Sequence, residues 1–140
     1  MGKGGARRDG GGASLGARRV YTAPPRLALN HWALVGDWSM KGGSIVLNKA
    51  SGRIAVRFQA RDLHLVMGPA VRGVTARFRV SVDGKPPAGA HGLDVDEQGN
   101  GKVTEQWLYQ LIRAPKPITK RTFEIEFLDG DVEAFSFTFG

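Results

Sequence analysis

Large apolar side chains alternate with polar ones along the last stretch of the chain, residues 122–140. The alternating apolar side chains are Phe123, Ile125, Phe127, Phe135, Phe137 and Phe139. A period of two indicates a β-strand with one buried face, because successive side chains point to opposite sides of a strand. Asp129-Gly130-Asp131 separates the two runs, and two strands around an Asp-Gly turn predict a β-hairpin. The apolar faces need a second layer to cover them, so we expect two packed sheets.

The same alternation recurs in earlier segments that are bounded by turn residues. Apolar and polar side chains alternate over residues 44–48, 53–60, 62–67 and 74–83. A turn is predicted at Gly36-Asp37, before Trp38. Residues 103–113 fit both a helical stripe and a strand, and the surrounding strands favour a strand. This pattern predicts an all-β fold, an antiparallel two-sheet β-sandwich of jelly-roll type.

Composition divides the chain into an arm and one domain. Residues 1–20 are rich in Gly, Ala and Arg, which predicts a disordered basic arm or linker ahead of a β-sandwich domain at 21–140. The formal net charge is +7, and residues 1–20 hold five basic side chains against one acidic. Because most of the excess charge lies in the arm, we expect no nucleic-acid partner. The sequence shows neither a signal peptide nor an apolar run long enough to span a bilayer.

Several segments resemble the C-terminal domain that follows the thioredoxin-like domain in DipZ-type thiol-disulfide interchange proteins of bacteria. The matching segments are residues 25–38, 58–70, 82–101, 108–113 and 121–140. The resemblance implies a β-sandwich like those of carbohydrate-binding modules, working outside the cytoplasm in the periplasm or cell envelope. The chain has no cysteine and therefore no Cys-x-x-Cys motif, so the redox activity of the thioredoxin-like domain is not assigned to it.

Carbohydrate binding would need flat rings that stack on a sugar, with polar side chains beside them. The available rings are Trp32, Trp38, Trp107 and Tyr109, and the predicted polar partners are His91 and Asp94. The alternative is that these rings belong to the core, as large aromatic side chains in alternating strands usually do.

A calcium loop is the sharpest local motif. Residues 94–105 fit the pattern D-x-[DN]-x-[DN]-G-x5-E apart from the glutamine at its third ligand position. The predicted ligands are Asp94, Asp96, Gln98, Asn100 and Glu105. The alternative is a polar turn between strands, because no helices flank the motif. We expect no other cofactor.

Four arginines on the predicted strands could form a row on the outer face of a sheet. They are Arg53, Arg57, Arg77 and Arg79. Such a row could meet an anionic glycan, an acidic partner protein or nucleic-acid phosphates. The alternative is a solvated face whose arginines pair with Glu124 and Glu126.

No group of residues has the pattern of a catalytic site. The three histidines lack metal-ligand spacing, and Asp62 and His64 have no nucleophile elbow to complete a triad. We therefore predict a noncatalytic binding module that recognises carbohydrate or a cell-envelope polymer. The alternative is a structural domain that docks on a thioredoxin-like domain or recruits a protein client.

Overall fold

The computed structural model describes residues 18–140 and contains ten β-strands in that range. In chain order the strands are β1 (Arg18–Tyr21), β2 (Trp32–Met40), β3 (Ile45–Leu47), β4 (Gly52–Phe58), β5 (Asp62–Pro69), β6 (Ala76–Val82), β7 (Asn100–Val103), β8 (Trp107–Arg113), β9 (Arg121–Phe127) and β10 (Val132–Phe139). Within residues 18–140 the only helical element is a 3-10 turn at Ala88–Ala90. The predicted all-β fold is confirmed.

The strands form two antiparallel layers that share β2. The first layer has the order β7-β6-β9-β4-β2, and the second has the order β1-β2-β3-β10-β5-β8. Residues 32–35 of β2 pair with β4, whereas residues 36–40 pair with β1 and β3. β2 therefore carries the chain from one layer into the other, as corner strands of β-sandwiches do.

Gly36 is the residue at which β2 changes layers. Its φ is +108°, and a Cβ placed on it would lie 2.9 Å from the Cα of Gly52 on β4. Only glycine adopts this backbone conformation freely and permits so close an approach. The turn predicted at Gly36-Asp37 is wrong, because the strand bends there but continues to Met40.

Aromatic rings connect the two layers across the core. The ring of Trp38 meets Phe127 edge to face at 6.0 Å, Phe127 meets Phe78 at 6.4 Å, and Phe78 meets Tyr109 at 6.3 Å. Trp38 and Tyr109 belong to the second layer, whereas Phe78 and Phe127 belong to the first. Each edge-to-face pair stabilises the fold beyond the apolar area it buries, by about 0.5–1.5 kcal/mol.

The predicted C-terminal hairpin is wrong. β9 pairs with β4 and β6 in the first layer, and β10 pairs with β3 and β5 in the second. Residues 128–131 cross between layers instead of closing a two-strand turn. The backbone N–H of Leu128 donates to Arg77 O at 2.8 Å, and that of Asp131 donates to Leu47 O at 2.9 Å. The two alternating runs are therefore strands of different layers, and they face each other across the core.

The second run also changes phase along its length. The pairing of β10 with β5 shifts register between Ala134 and Ser136, so Phe135 is an extra residue in the ladder. Val132 and Ala134 fill the core, whereas 46% of the Phe139 side chain is exposed. A β-bulge therefore replaces the uninterrupted burial of three phenylalanines that the sequence predicts.

Residues 103–113 are extended, as the surrounding strands indicated. β7 ends at Val103 and β8 begins at Trp107, with a bend between them. The predicted arm covers residues 1–20, and residues 1–17 of it lie outside the described part of the chain. Its last residues form part of β1, where Arg18 pairs with Asp37 through two side-chain hydrogen bonds of 2.8 and 2.9 Å.

Substitution Gly36→Ala should destabilise the domain, because alanine is strained at this φ and its Cβ would press on the β4 backbone. We expect a loss of about 1–3 kcal/mol in the free energy of unfolding, measured by urea denaturation. Gly43→Ala is the matched control, since nothing lies within 4 Å of a Cβ at that position. Equal losses in the two variants would contradict the role assigned to Gly36.

Acid should destabilise the domain through Asp37 and Asp129. Hydrogen bonds from Arg18 and Arg77, respectively, lower the pKa of these carboxyl groups from 3.8 to about 2. A carboxyl group with a lower pKa in the folded state contributes stability above its unfolded pKa and loses it as pH falls. Thermal unfolding should therefore show a Tm that falls between pH 3.8 and about 2.

The variants Arg18→Gln and Arg77→Gln should each make this fall in Tm shallower, because they remove the donors that depress the pKa of Asp37 and Asp129. Arg72→Gln is the control for loss of a positive charge, since Arg72 is exposed in the loop after β5. An acid dependence that is identical in all three variants would argue against these two pairs.

Candidate binding site

The aromatic side chains predicted to bind ligand divide between core and surface. Trp32, Trp38 and Tyr109 are buried. The Nε1 of Trp38 donates to the carbonyl oxygen of Val35 at 2.9 Å, and its ring faces the core. A buried ring has no free face on which a sugar could stack, so these three residues do not form a ligand platform.

Tyr109 fixes the bend between β7 and β8. Its hydroxyl donates to the carbonyl oxygen of Glu105 at 2.8 Å and accepts from the backbone N–H of Thr104 at 3.1 Å. The polar end of the ring is therefore satisfied within the protein, as buried tyrosines require. Tyr109 thus positions the start of β8.

Exposed apolar side chains lie along β8 and along the segment paired with it. The exposed fractions are 58% for Trp107, 38% for Leu108 and 82% for Leu93. Trp107 and Leu108 are consecutive in a strand, so their side chains point to opposite faces, and neither face is covered at this end. We call Leu93, Trp107 and Leu108 the β8 edge surface.

A polar cavity of about 190 Å³ opens on the outer face of the second layer, between β5 and β8. Its polar lining residues are Asp62, His64, His91, Gln110 and Arg113. His64 lies opposite Gln110 and Asp62 lies opposite Arg113 in the register of the two strands. Strand pairing alone therefore brings four of the five polar side chains together.

A β-bulge in β8 gives Gln110 and Arg113 the same orientation. The register with β5 shifts at this point, which leaves Leu111 as an extra residue between the paired Gln110 and Ile112. Leu111 and Ile112 are both buried, whereas Arg113 is exposed. Without the bulge, strict alternation would turn Arg113 away from the face that carries Gln110.

His91 enters the cavity from a segment that runs along β8. The N–H of Gly92 donates to Leu111 O at 2.9 Å, and His91 forms a β-bridge with Ile112. A Cβ on Gly92 would overlap the carbonyl group of Gln110, so glycine is required at this approach. The Nδ1 of His91 lies 2.9 Å from Gly92 O, which orients the imidazole ring.

Asp62 is the buried charge of the cavity. Hydrogen bonds from Arg61 lower its pKa, and the positive charge of Arg113 acts in the same direction. Its Oδ2 accepts from Arg61 Nη2 at 2.9 Å, whereas its Oδ1 is buried without a hydrogen-bond partner. The sequence predicted His91 in a site but did not group it with Asp62, His64, Gln110 and Arg113.

The residues of the predicted calcium loop are engaged in protein contacts. The carboxylate of Asp94 accepts from Gln110 N at 2.7 Å, and that of Asp96 accepts from Asn100 N at 2.9 Å. The side-chain oxygen of Asn100 accepts from Arg79 at 3.0 Å. Within residues 18–140, no cluster of three or more His, Asp or Glu side chains is arranged to hold a metal ion. Calcium binding by Asp94, Asp96, Gln98, Asn100 and Glu105 stays a prediction.

The predicted arginine row is mostly paired. Arg53 lies 3.7 Å from both Glu124 and Glu126, as expected. Arg77 instead pairs with Asp129 at 3.0 Å, and Arg57 donates to the hydroxyl of Thr122 at 2.9 Å. A shallow groove of about 450 Å³ beside residues 23–27 is lined by Arg53, Arg57 and Glu124 from this face. Because these arginines are paired with acidic or hydroxyl side chains, this face of the sheet does not favour a negatively charged partner over a positively charged one.

Comparison with solved structures supports the fold. A family two carbohydrate esterase from Cellvibrio japonicus matches with a TM-score of 0.59 and 14% identity, over 79% of this chain and 30% of that chain. A family two carbohydrate esterase from Clostridium thermocellum, in complex with cellohexaose, matches with a TM-score of 0.55 and 13% identity, over 70% of this chain and 27% of that chain. At these identities the likeness shows the fold alone.

Comparison of sequences supports the resemblance to DipZ-type proteins. Protein DipZ of Mycobacterium bovis (strain ATCC BAA-935 / AF2122/97) and Protein DipZ of Mycobacterium tuberculosis (strain CDC 1551 / Oshkosh) are each 28% identical over 131 residues. The alignment covers 94% of this chain and 16% of each relative, so the chain spans a small part of their length. Residues 18–140 contain no helix with the length and apolar character needed to cross a membrane.

The family model described as "Thioredoxin like C-terminal domain" matches residues 2–140, essentially the full sequence. The two DipZ proteins align over nearly the same stretch. The chain therefore belongs to the thioredoxin-like C-terminal domain family.

Proposed function

We propose that the domain is a noncatalytic recognition module that docks on a protein partner, either a thioredoxin-like domain or its client. Membership of a family named after its association with thioredoxin-like proteins supports this class of partner. The β8 edge surface carries the proposal, because Trp107 and Leu108 are both exposed at the same end of β8, one on each face of the strand. Exposed large apolar side chains that lie close together mark interaction sites.

Trp107 would be the anchor of this docking surface. Tryptophan is enriched among the residues that contribute most to protein–protein binding, because its ring buries a large area in a partner pocket. Three exposed apolar residues cover less area than a stable interface needs, so the complex would be transient.

Carbohydrate recognition is the second candidate function. It is supported by the polar cavity, whose lining offers hydrogen-bond donors and acceptors, and by the fold shared with carbohydrate esterases. Among the tryptophans and tyrosines of residues 18–140, only Trp107 is exposed. A stacked pair of rings is therefore not available, which makes protein docking the better-supported function.

We further propose that the domain works outside the cytoplasm, in the periplasm or cell envelope, as the resemblance to DipZ-type proteins implies.

Substitution Trp107→Ala should weaken binding to the thioredoxin-like domain of a DipZ-type protein. We expect a loss of about 2 kcal/mol, or roughly thirtyfold in Kd, as is usual for a tryptophan anchor. Isothermal titration calorimetry measures the affinity of the parent chain and the variant, and an NMR titration of the parent chain, which has three tryptophan indole N–H groups, locates the contact. The Trp107 signal should shift on binding, while those of buried Trp32 and Trp38 stay in place.

Ile118→Ala is the matched control, because Ile118 is exposed to a similar degree but lies in the loop after β8. It should bind as tightly as the parent chain. Unchanged affinity in Trp107→Ala, or an equal loss in Ile118→Ala, would remove the β8 edge surface from the docking site.

A further inference from the structure

Basic side chains gather at the end of the sandwich where β5 begins and β8 ends. Arg113, the last residue of β8, lies opposite Asp62, the first residue of β5. The backbone N–H of Ala114 donates to Arg61 O at 2.7 Å, and that of Arg61 donates to Gly140 O at 3.1 Å. These hydrogen bonds hold the ends of β5, β8 and β10 together.

The loop between β8 and β9, residues 114–120, crosses this end from the second layer to the first. It begins beside Arg61 and leads to Arg121, which lies opposite Phe58 on β4. The ring of Phe58 stacks on that of Phe139 at 6.2 Å, so this part of the first layer lies next to the end of β10. The basic side chains of this region, which we call the basic end, are Arg61, Arg113, Lys116, Lys120 and Arg121.

The basic end carries the excess positive charge of the domain. Residues 21–140 hold fifteen basic and twelve acidic side chains. Five of the basic side chains and one of the acidic ones, Asp62, lie at the basic end, which leaves ten basic against eleven acidic in the rest of that range. The charge is therefore concentrated on one surface, where it attracts an anionic partner.

Most of these cations are not neutralised within the protein. Asp62 pairs with Arg61 at 2.9 Å, and the neighbouring carboxylate of Asp83 pairs with Arg57 at 4.0 Å. Within residues 18–140, the other four side chains of the basic end form no close ion pair. Four cations are thus available to an external partner.

Two apolar side chains are exposed among these charges. Ile118 lies between Lys116 and Lys120 in the loop and is 45% exposed, and Phe139 is exposed to nearly the same degree. Apolar side chains that project among cations are typical of proteins that bind anionic bilayers, because the apolar groups enter the boundary between headgroups and acyl chains while the cations meet the lipid phosphates.

We propose that the basic end docks on the surface of an anionic lipid bilayer, with Ile118 and Phe139 entering the interface. Lysine suits this partner, since its long flexible stem lets the ammonium group follow phosphates that move in the plane of the bilayer. Trp107 lies at the other end of β8, so a domain bound in this way leaves the β8 edge surface free for a protein partner.

Co-sedimentation of the full chain with vesicles tests the proposal. Vesicles of palmitoyl-oleoyl phosphatidylglycerol should bind the chain, vesicles of palmitoyl-oleoyl phosphatidylcholine should not, and added salt should weaken binding. The variant Lys116→Gln/Lys120→Gln should lower the partition coefficient about thirtyfold, because each cation near an anionic surface contributes about fivefold. Lys49→Gln/Lys102→Gln is the matched control, since both of these exposed lysines lie near the opposite ends of the strands.

The apolar contact has its own pair of variants. Ile118→Ser should lower the partition coefficient about tenfold, because serine gains little from entering the interface. Val71→Ser is the matched control, since Val71 is 48% exposed in the loop after β5, away from the basic end. It should bind vesicles like the parent chain. Far-UV circular dichroism confirms that each variant is folded.

The basic arm is tested separately, because residues 1–20 also carry positive charge. In the background Lys3→Gln/Arg7→Gln/Arg8→Gln, the chain should still prefer phosphatidylglycerol vesicles. The loss caused by Lys116→Gln/Lys120→Gln should be as large in this background as in the parent chain.

Four outcomes would overturn the proposal. They are no binding to phosphatidylglycerol vesicles at low salt, equal binding to both kinds of vesicle, equal losses in the loop variants and their controls, and binding abolished by the arm substitutions alone. Binding to polyglutamate but not to vesicles would also overturn it, and would identify an acidic polypeptide as the occupant. Trp107→Ala should bind vesicles like the parent chain, so bilayer binding and protein docking can fail independently.

Discussion

Contact between aromatic rings across the two layers is the constraint on which the rest of the structure depends. Trp38, Phe127, Phe78 and Tyr109 form a continuous series of edge-to-face contacts through the core. Trp38 reaches this series only because β2 changes layers at Gly36. The core thus uses most of the flat rings in residues 18–140, and Trp107 is the one tryptophan or tyrosine of that range that stays exposed.

The sequence predicted the strands and the two-layer class, but it did not predict their pairing. Alternation shows which side chains share a face, and it carries no information about which strand lies beside another. Residues 123–127 therefore looked like half of a hairpin, although β9 pairs with β4 and β6, which precede it by many residues. The bulge at Phe135 has no signal in the alternation, because phenylalanine is compatible with either face.

The candidate site was harder to predict than the fold for the same reason. Alternation placed His64 on the side of its strand opposite to Leu63 and Leu65, which is its observed orientation. Its neighbour Gln110 follows only from the register of β5 and β8, and His91 arrives through a backbone bridge outside any strand. The aromatic candidates were chosen by residue type, and burial, which decides their role, depends on the packing of layers far apart in sequence.

β8 shows how one strand can supply both the apolar core and a polar surface. Tyr109 and Leu111 are buried, whereas Gln110 faces the cavity between them. A regular strand would then bury Arg113, but the extra residue at Leu111 restores its outward direction and sets it opposite Asp62. Removing that one residue would reverse every side chain beyond it. The bulge is therefore the feature that makes a polar cavity compatible with a continuous apolar core on the other face of the same sheet.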